Sequence, residues 1–154
     1  MGDNDMIPSV AMQKQIATLV AGDTTMLASA TPPKVRLAKQ PFTPAPTLDP
    51  TTLIEADFGS YAAKSPTNGV QLSFVDPLTG LQTVELIEPA GGWHWAANNV
   101  NNLPQSIYGF YVTDAGGTNL LGSGLLPAAV PLTAAGQAFD VISIRLAFLN
   151  NSPQ

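Results

Sequence analysis

The stretch IYGFYVTDAGGTNLL, residues 107–121, decides the fold class. Tyr108, Phe110 and Val112 fall on one face of an extended chain, and Ile107 and Tyr111 on the other. This period of two, carried by aromatic and β-branched residues, predicts a strand. Asp114-Ala115-Gly116-Gly117 supplies turn chemistry, and residues 118–121 then pair back on the strand just left. The same pattern recurs outward along the chain. In residues 139–149, Asp140, Ile142, Ile144, Leu146 and Phe148 share one face of a long last strand, with Val141, Ser143, Arg145 and Ala147 on the other. Residues 70–74 and 81–88 alternate on either side of Asp76-Pro77-Leu78-Thr79-Gly80, which predicts a hairpin. The 14 Pro and 13 Gly residues punctuate the apolar runs, as many short strands require. The expected fold is mainly β: an antiparallel β-sandwich, jelly-roll-like or barrel.

The N-terminal third reads differently. Ser9 is placed to cap a helix in which Met12, Ile16, Leu19 and Val20 make one apolar stripe, with Gly22 just past its end. About three turns cannot bury that stripe alone, so it needs a larger partner or another subunit. Residues 30–50 contain six prolines around a short alternating strand over residues 34–39, with Val35 and Leu37 on one face. That segment is either a proline-stiffened edge strand or an arm lying across a neighbouring subunit. Asp49-Pro50 predicts a capped single helical turn over residues 50–56. The organisation expected is residues 1–22 as tail and helix, 23–52 as arm and 53–154 as sandwich, all one folding unit.

Composition removes many functions. A chain of 154 residues predicts one domain, at most one domain plus a tail. Charged residues make up 11% and the net charge is −5, against roughly 25% charged residues in an ordinary soluble domain. Six Lys and Arg residues cannot build a phosphate-tracking surface, so no nucleic-acid partner is expected. No apolar run reaches the ~18 residues of a membrane span, and the acidic start MGDNDM, with no apolar stretch after it, predicts no secretory signal peptide. The chain has no Cys and one His, which removes thiolate chemistry and multi-His metal sites. No cofactor, metal or catalytic residue is expected.

Four constellations remain. Trp93-His94-Trp95 places two indoles on one face and the imidazole on the other, for core or subunit-interface packing, for a sugar-stacking platform, or around a catalytic His94. Residues 98–102 (NNVNN) form an ordered surface loop or an oxygen-rich ligand site. Glu55 and Asp57, like Glu85 and Glu88, read as isolated solvated acids rather than a carboxylate pair. Gly116, Gly117, Gly122 and Gly124 are turn and strand-edge glycines, without the lysine of a phosphate loop.

Three segments carry a resemblance: Ile7-Pro8 with the amphipathic helix ending at Gly22, residues 53–62 (LIEADFGSYA), and residues 107–121. Together they resemble small β-sandwich structural proteins of tailed-bacteriophage virions, of the capsid-associated decoration or tail-fibre type. The resemblance implies a non-enzymatic chain made in the host cytoplasm and located in the virion. It would work as a homo-oligomer, trimer or larger, docked on other virion proteins such as the major capsid protein. The contacts expected are Met12, Ile16 and Leu19 of the helix, Val35, Leu37 and Phe42 of the arm, and Trp93 and Trp95. The alternative is a carbohydrate-binding module, at a fibre tip or on a secreted protein, with Trp93 and Trp95 as its platform.

Overall fold

A computed structural model of the chain describes residues 5–8, 33–66, 70–75, 81–86, 88–141 and 144–149. Among these it is mainly β, with no α-helix. The strands are β1 (Asp5–Pro8), β2 (Lys34–Ala38), β3 (Val70–Val75), β4 (Leu81–Leu86), β5 (Trp93–Ala96), β6 (Gln105–Thr113), β7 (Leu120–Leu132), β8 (Ala138–Val141) and β9 (Ile144–Leu149). Seven make one sheet in the order β2-β6-β7-β1-β9-β4-β3, and β5 and β8 form a separate ribbon. Every pairing is antiparallel except β1 with β9. The helix expected over residues 9–22, with Met12, Ile16 and Leu19, lies outside the described residues.

The predicted hairpin forms, with Val70 opposite Leu86 and Leu72 opposite Val84. The strand from residue 107 and its return also pair, Phe110 facing Gly124 and Val112 facing Gly122. Asp114 fastens the intervening turn. Its carboxylate accepts from the backbone N–H groups of Thr118 at 2.9 Å and Asn119 at 3.2 Å, and from the Asn119 amide at 2.7 Å. Gly117 takes φ +80° there, a backbone conformation that suits glycine.

The long last strand is corrected: β8 joins the ribbon and β9 joins the large sheet. Val141 and Ile144 are both buried in the same core cluster, yet residues three apart in a straight strand point to opposite faces. Changing sheets between them brings both side chains inside. The helical turn after Asp49 is also shorter than expected, a 3-10 turn over Pro50–Thr52 whose Thr51 N–H is capped by the Asp49 carboxylate.

One apolar cluster gathers Val35 and Leu37 of β2, Leu86 of β4, Trp93 and Trp95 of β5, Ile107, Phe110 and Val112 of β6, Leu132 of β7, Val141 of β8 and Ile144 of β9. Strands near opposite ends of the large sheet therefore enclose a common core together with the ribbon. The edge strand β2 is not left open. Its outward backbone groups are taken by residues 54–64 folding back: Val35 and Lys64 exchange bonds of 2.7 and 3.0 Å, Ala56 N–H donates to Leu37 O at 2.8 Å, and Lys39 N–H donates to Ile54 O at 3.0 Å. Covering an edge in this way removes a template for unwanted strand pairing.

Candidate functional site

The most distinctive surface lies where β6 and β7 fall out of step. The register passes from Gly109 opposite Leu125 to Ile107 opposite Val130, so two steps on β6 are matched by five on β7. The surplus bows out residues 126–129. Leu126 and Val130 stay half-buried against the core cluster and act as roots. Leu125 is 43% exposed, and Pro127, Ala128, Ala129 and Pro131 are exposed beside it. Pro127 and Pro131 carry no N–H, so this stretch of strand has fewer backbone donors to present.

An open groove of about 490 Å³ adjoins this apolar ridge, lined by Lys39, Asn102, Gln105, Ser106, Tyr108 and Thr133. The two are contiguous because Ser106 pairs with Pro131 and Gln105 with Leu132. At the groove's rim Lys39 Nζ donates to Asp57 Oδ1 at 2.5 Å. Gln105 Nε2 donates to the same Asp57 oxygen at 3.1 Å and to Asn102 O at 2.7 Å. The hydrogen bond from Lys39 holds the Asp57 carboxyl below its ordinary range, burial opposes this, and Gln105 adds to the lowering. The rim is thus an internally neutralised polar border along one side of the apolar bulge.

Behind the rim stands a second polar cluster. Arg36 pairs with Glu55 at 2.8 Å, and its Nε donates to Thr113 Oγ1 at 3.1 Å. The Tyr61 hydroxyl donates to the other Glu55 oxygen at 2.8 Å while accepting from Leu37 N–H at 3.0 Å. Burial, reinforced by the Glu55 charge, pushes the Tyr61 phenol well above its ordinary value. Burial also lifts Tyr111 to about 12, with Glu55 raising it further and Arg36 opposing. Glu55 and Asp57 are therefore not the isolated acids expected. Each faces a cation, and among the described residues neither is paired with another acid, which is the wrong geometry for a carboxylate pair.

The predicted contact residues separate into groups. Val35 and Leu37 are completely buried within their own chain, so they serve the core rather than an intersubunit arm. Phe42 is half-buried on a smaller cluster of Ala38, Leu53, Tyr111 and Leu120, with its ring over Gly109. Trp93 and Trp95 are 1% and 3% exposed. They stack with ring centroids 6.3 Å apart, and Trp95 stacks on Phe139 at 5.9 Å. The indoles point inward because the other face of β5 carries the polar His94, so they present no platform to a sugar. Trp95 Nε1 donates to Ala62 O at 3.1 Å. Trp93 Nε1 is buried without a partner among the described residues.

His94 takes the outer face as alternation predicted, with Nδ1 at 2.6 Å from Asp140 Oδ1 across the ribbon. Both side chains are largely exposed, a surface cross-strand pair. The Asn-rich loop is an ordered loop: Gly59 N–H donates to Asn101 O at 3.1 Å, and Asn102 Nδ2 donates to Asp57 O at 2.8 Å. Among the described residues no three His, Asp or Glu side chains stand together to hold a metal. No family model, curated protein or solved structure matches this chain.

The ridge carries no strand periodicity in the sequence. Leu125-Leu126-Pro127-Ala128-Ala129-Val130-Pro131 has no period of two. The signal that marked it was an apolar run holding two prolines directly after a glycine-rich strand.

Proposed function

We propose that this chain is a non-enzymatic structural protein that works by self-association and docking. In line with the resemblance of residues 53–62 and 107–121, we place it in a tailed-phage virion as a capsid-associated decoration or vertex protein. The supporting observation is the rooted apolar ridge at Leu125 to Pro131 with its neutralised polar border. An exposed apolar patch bordered by satisfied polar groups is common anatomy for a protein interface. Scarce charge favours the same use, because few ions must be stripped of water when such a surface is covered. The architecture is read as a β-sandwich, supported by the common core that Val35 of β2 shares with Leu86 of β4 and Ile144 of β9.

Light scattering across a concentration series tests the reading. The expected mass is that of a trimer or larger, and Leu125→Glu together with Ala128→Glu is expected to lower it toward 16.0 kDa. A 16.0 kDa species at every concentration overturns self-association.

A further inference from the structure

We propose that β1 is an exchangeable strand, seated in a second copy of this chain when the protein assembles. The inference rests on the self-association reading and specifies how it is achieved.

The topology sets β1 far in sequence from every strand it pairs with. It is four residues long and separated by 25 residues from β2 (Lys34 minus Pro8, less one). None of its partners is a neighbour in sequence. Asp5 and Met6 pair in parallel with Arg145 and Leu146 of β9, while Ile7 and Pro8 pair antiparallel with Ser123 and Gly122 of β7. β1 is therefore the single link between a β2-β6-β7 half and a β9-β4-β3 half of the large sheet. Without it, two inner edges lie open, with unpaired backbone groups that demand a strand.

Two further facts permit exchange between copies. A connection of 25 residues reaches at most ~80–90 Å when extended, well beyond the dimensions of one domain of this size. The receiving positions on β7 are Gly122 and Ser123, both buried and both small, so little side-chain bulk stands against the incoming backbone. The bonds made by β1 in its own chain and in a neighbour are identical, so exchange loses no contact. Swapping an identical element between protomers is a low-cost route to assembly.

The absence of Cys from the chain makes the test clean. Ile7→Cys and Ser123→Cys occupy facing register positions. They are made in separate chains, mixed in denaturant, refolded together and oxidised. Exchange predicts a covalent heterodimer of about twice 16.0 kDa on a non-reducing gel, at least tenfold above either variant alone. A mixture that stays at 16.0 kDa overturns the proposal. The double variant in one chain checks the register: failure to form any disulfide removes the premise and overturns the proposal as well. Light scattering on the unmodified chain separates the two ideas. An oligomer without heterodimer leaves self-association standing and rejects exchange, while a monomer rejects both.

Discussion

The β2 edge and the β5–β8 ribbon solve the same problem with different materials. At the β2 edge, residues 54–64 fold back over the strand and are fastened by Arg36–Glu55, Lys39–Asp57 and the Tyr61 hydroxyl. In the ribbon, two short strands of four residues each are held by Trp93, Trp95 and Phe139 stacked beneath them. Arg36, Lys39 and Lys64 are three of six basic residues in the chain, and all lie on or beside the β2 edge, Lys64 with its ammonium 5.7 Å from the Trp95 ring centre. A chain with few charges has concentrated them where backbone must be locked to backbone. Where a surface has only to be covered, it uses aromatic area. Directional bonds set register, whereas burial supplies bulk stability.

That contrast predicts a ranking of damage. Trp95→Ala is expected to have the largest effect, about 3–5 kcal/mol in denaturant unfolding, because it empties the stack and orphans the Ala62 carbonyl. If the loss is under ~1 kcal/mol, the ribbon does not depend on its aromatic underside. Gly109→Ala comes next, at about 1–3 kcal/mol. Its Cβ would collide with the Gly124 carbonyl oxygen and meet the Phe42 ring at 2.8 Å, and a carbonyl in a paired strand has little room to retreat. Glu55→Gln is expected to cost about 1–2 kcal/mol by leaving the Arg36 guanidinium without its counter-charge. Absorbance titration should then show Tyr111 ionising at lower pH than its native value of about 12, since a charge that raised it is gone.

Acid separates the regions in another way. Burial would raise the Asp114 carboxyl, but the hydrogen bonds from the Asn119 side chain and the Asn119 and Thr118 backbone outweigh it and hold the group below its ordinary 3.8. A depressed folded value means that stability is fully present above the unfolded value and is lost as pH falls through the folded one. The loss attributable to Asp114 is therefore expected to begin near pH 4 and continue below it. Asp114→Asn should be less stable at pH 7 and flatter than the native chain across that window, read by circular dichroism. The smallest effect belongs to His94→Ala. An exposed cross-strand pair contributes at most about 1 kcal/mol, so a larger loss would show that the ribbon relies on its outer face as well.

Much of this was legible in the sequence wherever one face of a strand met water and the other the core. The alternation in Lys34–Ala38 and Trp93–Ala96 carried straight through to the structure, and the predicted hairpin paired Val70 with Leu86. Where the two differ, the missing information is non-local. Alternation reports which side chains are buried and not which sheet buries them, so residues 139–149 read as one strand although Val141 and Ile144 needed a change of sheet to share a core. Val35 and Leu37 looked unpartnered because their cover, residues 54–64, comes from a segment of irregular backbone without a period of its own. The ridge escaped for the complementary reason: a five-against-two register slip follows from pairing between distant strands and leaves no local pattern.

The placement of β1 also sets the timetable of synthesis. Asp5 pairs with Arg145, 140 positions later (145 minus 5). Asp5–Pro8 therefore leaves the ribosome long before its partner β9 and can be fully seated only after it. Until β9 emerges, a nascent chain carries Asp5–Pro8 beside an already translated β7, with only half of its final berth in existence. Long-range pairings of this kind slow closure and lengthen the time for which unpaired edges are exposed. Chains translated side by side on one message would meet during that interval, each with a free strand and an open slot.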